Sequence, residues 1–230
     1  GPSYKYPGKD VNDFVENGFP VSARLGFITI VFVLLAAIPM GILAAVKNGK
    51  WQDMVLMAVA TIGVTIPSFV IASVLIYVFS FKLNVLPTYG LDTWKGYILP
   101  VAALGGYSIS YMARLMRSSL LEVMGQDYIR TARAKGLSEI KVVLKHGMRN
   151  ALIPVVTVLG PTIAGLLTGS FVIEKIFAIP GLGGYFVTSV SQRDYTTIMG
   201  VTIFYASFLM AMILLVDIFY CLIDPRIKYE

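Results

Sequence analysis

The chain has 230 residues, of which 57% are hydrophobic and 14% charged, against about 45–50% and about 25% in a soluble domain. The excess is concentrated in five uncharged runs of 18 to 28 residues: Leu25–Val46, Met54–Phe81, Gly96–Ala113, Asn150–Ile173 and Tyr195–Val216. A bilayer core of about 30 Å takes roughly 20 apolar residues as helix, so the pattern excludes a soluble enzyme and a disordered chain. It also excludes a β-barrel, whose strands alternate over about 10 residues.

The expected fold class is therefore all-α, a polytopic membrane helical bundle with five spans. Residues 1–24 form an extracytoplasmic segment, 25–223 the membrane domain and 224–230 a cytoplasmic tail. The sides follow from Lys and Arg. One side holds seven (Lys5, Lys9, Arg24, Lys82, Lys95, Lys175, Arg193) and the other twelve, eight of them in 114–149. The positive-inside rule places that loop and the C-terminus in the cytoplasm. The net charge of +6 is accounted for by these loops, without nucleic acid.

An odd number of spans puts Gly1 outside, yet residues 1–24 contain no apolar run to act as a signal. The expectation is a fragment lacking at least one earlier helix. The alternative is that Gly1-Pro2 is a cloning scar on a complete design. Along the runs lie Pro39, Pro67, Pro100, Pro154 and Pro161, which predict kinks and suit a moving or cavity-lining bundle.

Loop 114–149 carries the most information. Asp127 suits a helix N-terminus, Arg133 and Lys135 a last turn, and Gly136 a left-handed stop. A short helix over 128–135 is predicted, with Ser138 capping a second helix over 139–149. Two readings stand open: a lever on which a partner pushes, or a basic loop that only fixes topology. In the fourth run, Gly165 and Gly169, with Gly160, Ala164 and Ser170, form a small-residue stripe for close helix packing, within the chain or against a second subunit. The Gly-rich, amphipathic segment Glu174–Tyr195 is an outer gate or binding-protein contact (Pro180, Gly181, Gly183, Tyr185, Phe186), or a passive interfacial stretch. Asp217, read as the sole acid within an apolar run, is assigned to an ion pair near the cytoplasmic interface rather than to a proton relay.

Enzymatic readings fail on residue supply. Ser170 has no base at depth, and the sole histidine, His146, sits in the basic loop. A single histidine also argues against a His-based metal site, and one cysteine, Cys221, excludes an internal disulfide. There is no Gly-x-x-x-x-Gly-Lys-Ser/Thr phosphate loop. A self-contained channel would want a charge ring or filter segment, and none is evident.

Residues Asp127-Tyr-Ile-Arg-Thr-Ala-Arg-Ala-Lys-Gly-Leu-Ser138, followed by Lys145-His-Gly-Met-Arg-Asn-Ala-Leu-Ile-Pro154, resemble the coupling loop of inner-membrane permeases of ABC-type peptide importers. Gly136 and Ala132 match the glycine and second alanine of the general Glu-Ala-Ala–x3–Gly pattern, while Arg130 and Thr131 depart from it as the peptide and nickel branch does. The similarity extends to Phe19-Pro-Val-Ser-Ala23, Ile173-Glu-Lys-Ile-Phe-Ala-Ile-Pro-Gly-Leu-Gly183 and Asp224-Pro-Arg-Ile227, as in oligopeptide permease B-type subunits. The resemblance implies a type I ABC importer permease fold with six helices, five of them present, in a bacterial plasma (inner) membrane. It implies a non-catalytic chain with no cofactor of its own, ATP and Mg being bound by partners. Those partners are a second homologous permease, two ATP-binding subunits, an extracytoplasmic peptide-binding protein, peptide substrate and membrane lipid. Nickel or another small solute is the alternative cargo. ATPase coupling is assigned to Asp127, Tyr128, Arg130, Thr131, Ala132, Arg133, Ala134, Lys135 and Gly136.

Overall fold

A computed structural model describes residues 1–223; the side chain of Asp217 and the Asp224-Pro225-Arg226 ending lie outside the described residues. The described residues are helical almost throughout and contain no strand, only an isolated bridge between Pro2 and Asp10.

Helix α1 spans Val11–Val46, about 54 Å at 1.5 Å per residue. It begins 14 residues before the predicted span because its start is chemically capped. The Asp10 backbone N–H donates to Asp13 Oδ2 at 2.7 Å, a capping-box arrangement that satisfies one donor at the helix entrance. The expected extracytoplasmic segment is thus largely the first turns of a long helix.

The predicted span Met54–Phe81 is not one rod. It folds as α2 (Trp51–Thr65) and α3 (Ser68–Leu75), the latter continuing as a wide π turn over Ile76–Lys82, with a break between the two parts. Pro67 is at the break, with φ −58° and ψ 142°. It lacks the N–H that an unbroken helix would need, and it biases Ile66 towards extended backbone. Helix continues through Pro39, Pro100 and Pro161, so of these prolines only Pro67 stands at a break.

Helix α4 covers Trp94–Met124. The loop that follows holds α5 (Asp127–Ala134), α6 (Glu139–Lys141), a π turn over Val142–Gly147, and α7 (Met148–Ala151). The predicted helix 139–149 forms and runs on to Ala151, widened to the π turn in its middle. Ser138 makes no side-chain cap; its carbonyl accepts from the Val142 N–H at 3.0 Å. After this come α8 (Ile153–Leu167), α9 (Phe171–Ile176), α10 (Leu182–Gln192) and α11 (Tyr195–Ile223).

Among the described residues, three stretches are long and apolar enough to cross a membrane, Val11–Val46, Ile153–Ile176 and Tyr195–Leu215, or four if the broken pair is one span. Helix α4 has the length, but Gly96, Gly105, Gly106, Ser108 and Ser110 dilute its apolar character.

The chain forms two compact units, each discontinuous in sequence. One comprises Gly1–Phe32, Ile66–Gly106 and the chain from Gly160; the other comprises Val33–Thr65 and Tyr107–Leu159. The first is built on Leu25, Leu99, Ile173, Phe177 and Ile179. Gly26 lies there against the Leu166 backbone, where a Cβ would collide with its carbonyl. The second unit has a core of Met116, Leu120, Val143 and Val155, an adjoining cluster around Val33, Ala37 and Met112, and a small one beneath α5.

Candidate functional site

Helix α5 has two chemically distinct faces. Ile129 and Ala132, three residues apart, are buried with Val142, against Val123, Met124 and Leu137. Burial of an isoleucine contributes on the order of 2 kcal/mol, which a helix of about 12 Å needs because it is too short to hold alone. Asp127, Tyr128, Arg130, Thr131, Arg133, Ala134, Lys135 and Gly136 are exposed. Ala132, assigned above to ATPase coupling, therefore packs inward, and Ala134 is the alanine of that set on the exposed side.

The helix ends one residue earlier than predicted. Lys135 is the C-cap and Gly136 follows at φ +77°, with nothing within 4 Å of a Cβ built there. Space is available; backbone conformation is the constraint, since a side chain in this region costs about 1–2 kcal/mol. The turn beyond is bracketed by Arg133, whose guanidinium donates to Glu139 at 2.6 and 3.1 Å. The Arg133 hydrogen bond holds the Glu139 carboxyl below the usual carboxylate range, and the same bond raises Arg133. Asn150 Nδ2 donates to the Tyr128 hydroxyl at 2.8 Å. The Arg130–Asp127 contact is 3.5 Å between highly exposed groups and contributes little.

The predicted outer gate is built around a carboxylate. Glu174, on α9, is fully buried. Its Oε1 accepts from Ser22 Oγ at 2.8 Å and its Oε2 from the Gly184 N–H at 3.1 Å. Ser22 Oγ in turn accepts from the Leu182 N–H at 2.9 Å. Glu174 and Ser22 thus share the free N–H groups at the start of α10, where the helix dipole favours negative charge. Gly169, at φ +89°, and Gly181 each lie where a Cβ would strike the Glu174 carboxylate, and Gly183 would bring one to 2.9 Å. Phe186 stacks on Phe171 at 4.6 Å and Tyr185 meets Phe14 edge-on at 5.4 Å. Pro180 is exposed on the rim of a hollow of about 400 Å³. Phe177, Ile179 and Leu182, expected on an interfacial face, are buried in this unit.

The small-residue stripe divides. A Cβ at Gly165 meets nothing within 4 Å, whereas Gly169 belongs to the Glu174 cradle. Among the described residues, no cluster of three or more His, Cys, Asp or Glu could hold a metal.

Residues 37–229 match the family described as the binding-protein-dependent transport system inner membrane component. The chain belongs to that family. It is 51% identical to the dipeptide transport system permease protein DppB of Bacillus subtilis, across 99% of this chain and 74% of the relative. It is 43% identical to the oligopeptide permease OppB of Haemophilus influenzae (100% and 76%) and 42% identical to the glutathione permease GsiC of Escherichia coli K12 (96% and 72%). Its fold is that of a chain of the inward-facing MetNI methionine ABC transporter, with a TM-score of 0.79 over 93% of this chain and 97% of that one, at 18% identity. This transport component is thus a multi-pass inner-membrane protein with the ABC permease fold.

Three polar residues of the permease escaped sequence reasoning. Asp53 is buried in the first turn of α2, where Arg117 Nε and Nη2 each approach its carboxylate at 2.6 Å. Arg117 also donates to Asn48 Oδ1 at 2.9 Å, and the Gly49 N–H donates to Asp53 Oδ2 at 3.0 Å. Asp194 is buried at the start of α11, where Ser3 Oγ, Thr197 Oγ1 and the backbone N–H groups of Tyr4 and Thr197 all donate to it. Burial pushes this carboxyl up, but the hydrogen bonds outweigh burial and hold it below its ordinary value. Glu174 is the third. It lay at the edge of the fourth run, and an acid beside Gly169, Gly181 and Gly183 was the available signal.

Proposed function

We propose that this chain is the membrane-spanning subunit of an ATP-driven importer of peptides, forming half of the translocation pathway. The dipeptide, oligopeptide and glutathione systems in which its relatives are named support a peptide cargo. In this reading the permease pairs with a second, homologous permease. Two ATP-binding subunits lie beneath it, and an extracytoplasmic binding protein delivers substrate. Loop 114–149 and the C-terminus face the cytoplasm, as the distribution of Lys and Arg supports.

The observation that carries the coupling is the split character of α5. Its apolar pair Ile129 and Ala132 is consumed inside the chain, and its polar side is exposed at the loop tip, with Arg130, Thr131, Ala134 and Lys135 facing outward. Docked in an ATPase cleft through Arg130, Thr131, Ala134 and Lys135, the helix transmits closure of the ATPases to the bundle. ATP then biases two packings of the membrane helices. The chain supplies no phosphate loop, so hydrolysis belongs to its partners and this subunit is not catalytic. The Glu174 cradle then lies at the outer mouth, where it fixes the segment Pro180–Phe186 that meets the binding protein.

The test is Gly136→Asp. It is expected to leave insertion and subunit assembly intact, to preserve ATP hydrolysis and to abolish peptide uptake in proteoliposomes. Wild-type uptake by this variant would remove the lever.

A further inference from the structure

Where α1 ends, the second unit contains a hollow that the transport reading leaves without a role. It measures about 460 Å³ and is lined by Pro39, Ile42, Leu43 and Val46 of α1 and by Ile140, Val143 and Leu144 after α5, within the about 300–1,000 Å³ of small-ligand clefts. Ile140 is 73% exposed and Leu144 56%, and Leu43 and Val46 are each 46% exposed. Four large apolar side chains at one spot call for an apolar occupant. Glu139 alone brings a charge to the lining, and the Arg133 guanidinium already engages it.

Three lysines adjoin the lining residues in sequence, close enough for their long side chains to reach its edge. Lys47 directly follows Val46, Lys141 follows Ile140 and Lys145 follows Leu144. No salt bridge among the described residues engages these lysines. The uncharged part of α1 also stops here, at Val46, which sets the hollow at the level where acyl chains give way to head groups. An apolar cleft with a basic rim on the cytoplasmic side is the arrangement that holds an anionic lipid. The π turn Val142–Gly147 runs through one wall, and such wide turns recur at functional sites.

We propose that this hollow binds an anionic phospholipid of the cytoplasmic leaflet, an acyl chain lying against Leu43, Val46, Ile140 and Leu144 and the phosphate held by Lys47, Lys141 and Lys145. The site rests on the reading that loop 114–149 is cytoplasmic. Neutral lipid satisfies the lining but not the rim, and a protein occupant needs no cluster of free lysines.

The test uses the full-length permease in its assembled transporter, in nanodiscs containing phosphatidylglycerol or phosphatidylcholine with a diazirine on the acyl chain. Labelled residues are mapped by peptide mass spectrometry. Phosphatidylglycerol is expected to label 39–46 and 139–144 about a hundredfold more than phosphatidylcholine does, the scale that three lysines supply at a membrane surface. The triple variant Lys47→Gln, Lys141→Gln, Lys145→Gln brings that ratio to about one. Ile140→Trp, which fills the hollow, lowers labelling there several-fold and leaves it unchanged elsewhere. Equal labelling by the two lipids overturns the proposal, since the hollow then meets only boundary lipid. Absence of labelling by either also overturns it, because protein then covers the site. Separately, a Lys135→Cys variant is treated with an impermeant maleimide in sealed right-side-out and inverted vesicles. Reaction only in the right-side-out vesicles refutes the cytoplasmic loop and the leaflet assignment, whatever lipid the hollow selects.

Discussion

The two units settle their buried acids by different chemistry. In the unit of Val33–Thr65 and Tyr107–Leu159, Asp53 is met by a full counter-charge, the two nitrogens of Arg117 at 2.6 Å. In the other, Glu174 and Asp194 are met only by hydroxyls and backbone N–H groups. An arginine fork needs one long side chain and tolerates varied backbone around it. A cradle of neutral donors instead requires the backbone to come within hydrogen-bond distance, and that explains the glycines around Glu174. The first kind of lock should therefore fail when a charge is removed, the second when a methyl group is added.

The largest effect is expected at Asp53. Asp53→Ala leaves the Arg117 guanidinium, itself about a quarter exposed, without its carboxylate, a loss of about 2–4 kcal/mol once solvent access to the arginine is allowed for. Chemical unfolding in detergent measures it. Asp53→Leu combined with Arg117→Met should recover most of the loss, and a double variant as weak as the single one would show that packing, not charge, dominates there.

Next comes Gly169→Ala, where positive φ and the Glu174 carboxylate both oppose a side chain, for about 2–3 kcal/mol. Adding Glu174→Ala should cost less than the two single changes summed, by about 1 kcal/mol, because the collision partner is gone. Strict additivity would separate the glycine from the cradle. Gly165→Ala is the matched control. With nothing within 4 Å it should be neutral or stabilise by about 0.5–1 kcal/mol. Unchanged chain stability with lost assembly would assign Gly165 to a second subunit.

Smaller still is the pH response of Asp194. Its carboxyl is held low, so its contribution is fully present above the unfolded value of about 3.9 and disappears as pH falls through the folded value. Thermal melting in detergent should be insensitive to this group between pH 7 and 5 and should weaken below about pH 4. Asp194→Asn should flatten that acid limb. Least of all, Glu139→Gln removes an exposed partner of Arg133 and should change stability by about 0–1 kcal/mol.

The contrast also explains what could be read before the fold was known. Helix α5 was legible because its signals are local: an acid at its start, two cations in its last turn, a glycine at its stop. Even there Ala132 was assigned to the wrong side, since the cluster that buries it includes Val142 and Met124, and no local pattern specifies that packing. Pro67 was visible, but nothing in the sequence separated it from Pro39, Pro100 and Pro161, which helices absorb. The Glu174 cradle was hidden for a physical reason. Its hydroxyl donor, Ser22, is 152 positions away, and its other donors are main-chain groups that every residue but proline carries. Asp53 and Arg117 are 64 positions apart; each alone reads as a loop charge.

The two-sidedness of α5 has an evolutionary corollary. Two inward positions secure the element, aided by the Arg133–Glu139 and Asn150–Tyr128 bonds, and the remaining outward side chains bear little of the fold. In the coupling proposed above, natural variation can rewrite Arg130, Thr131, Ala134 and Lys135 to follow a changing motor subunit while the scaffold stays as it is. Lineages that duplicate their transporters can thus acquire private pairings through a handful of surface changes, and cross-talk between paralogous machines is curbed at almost no structural penalty.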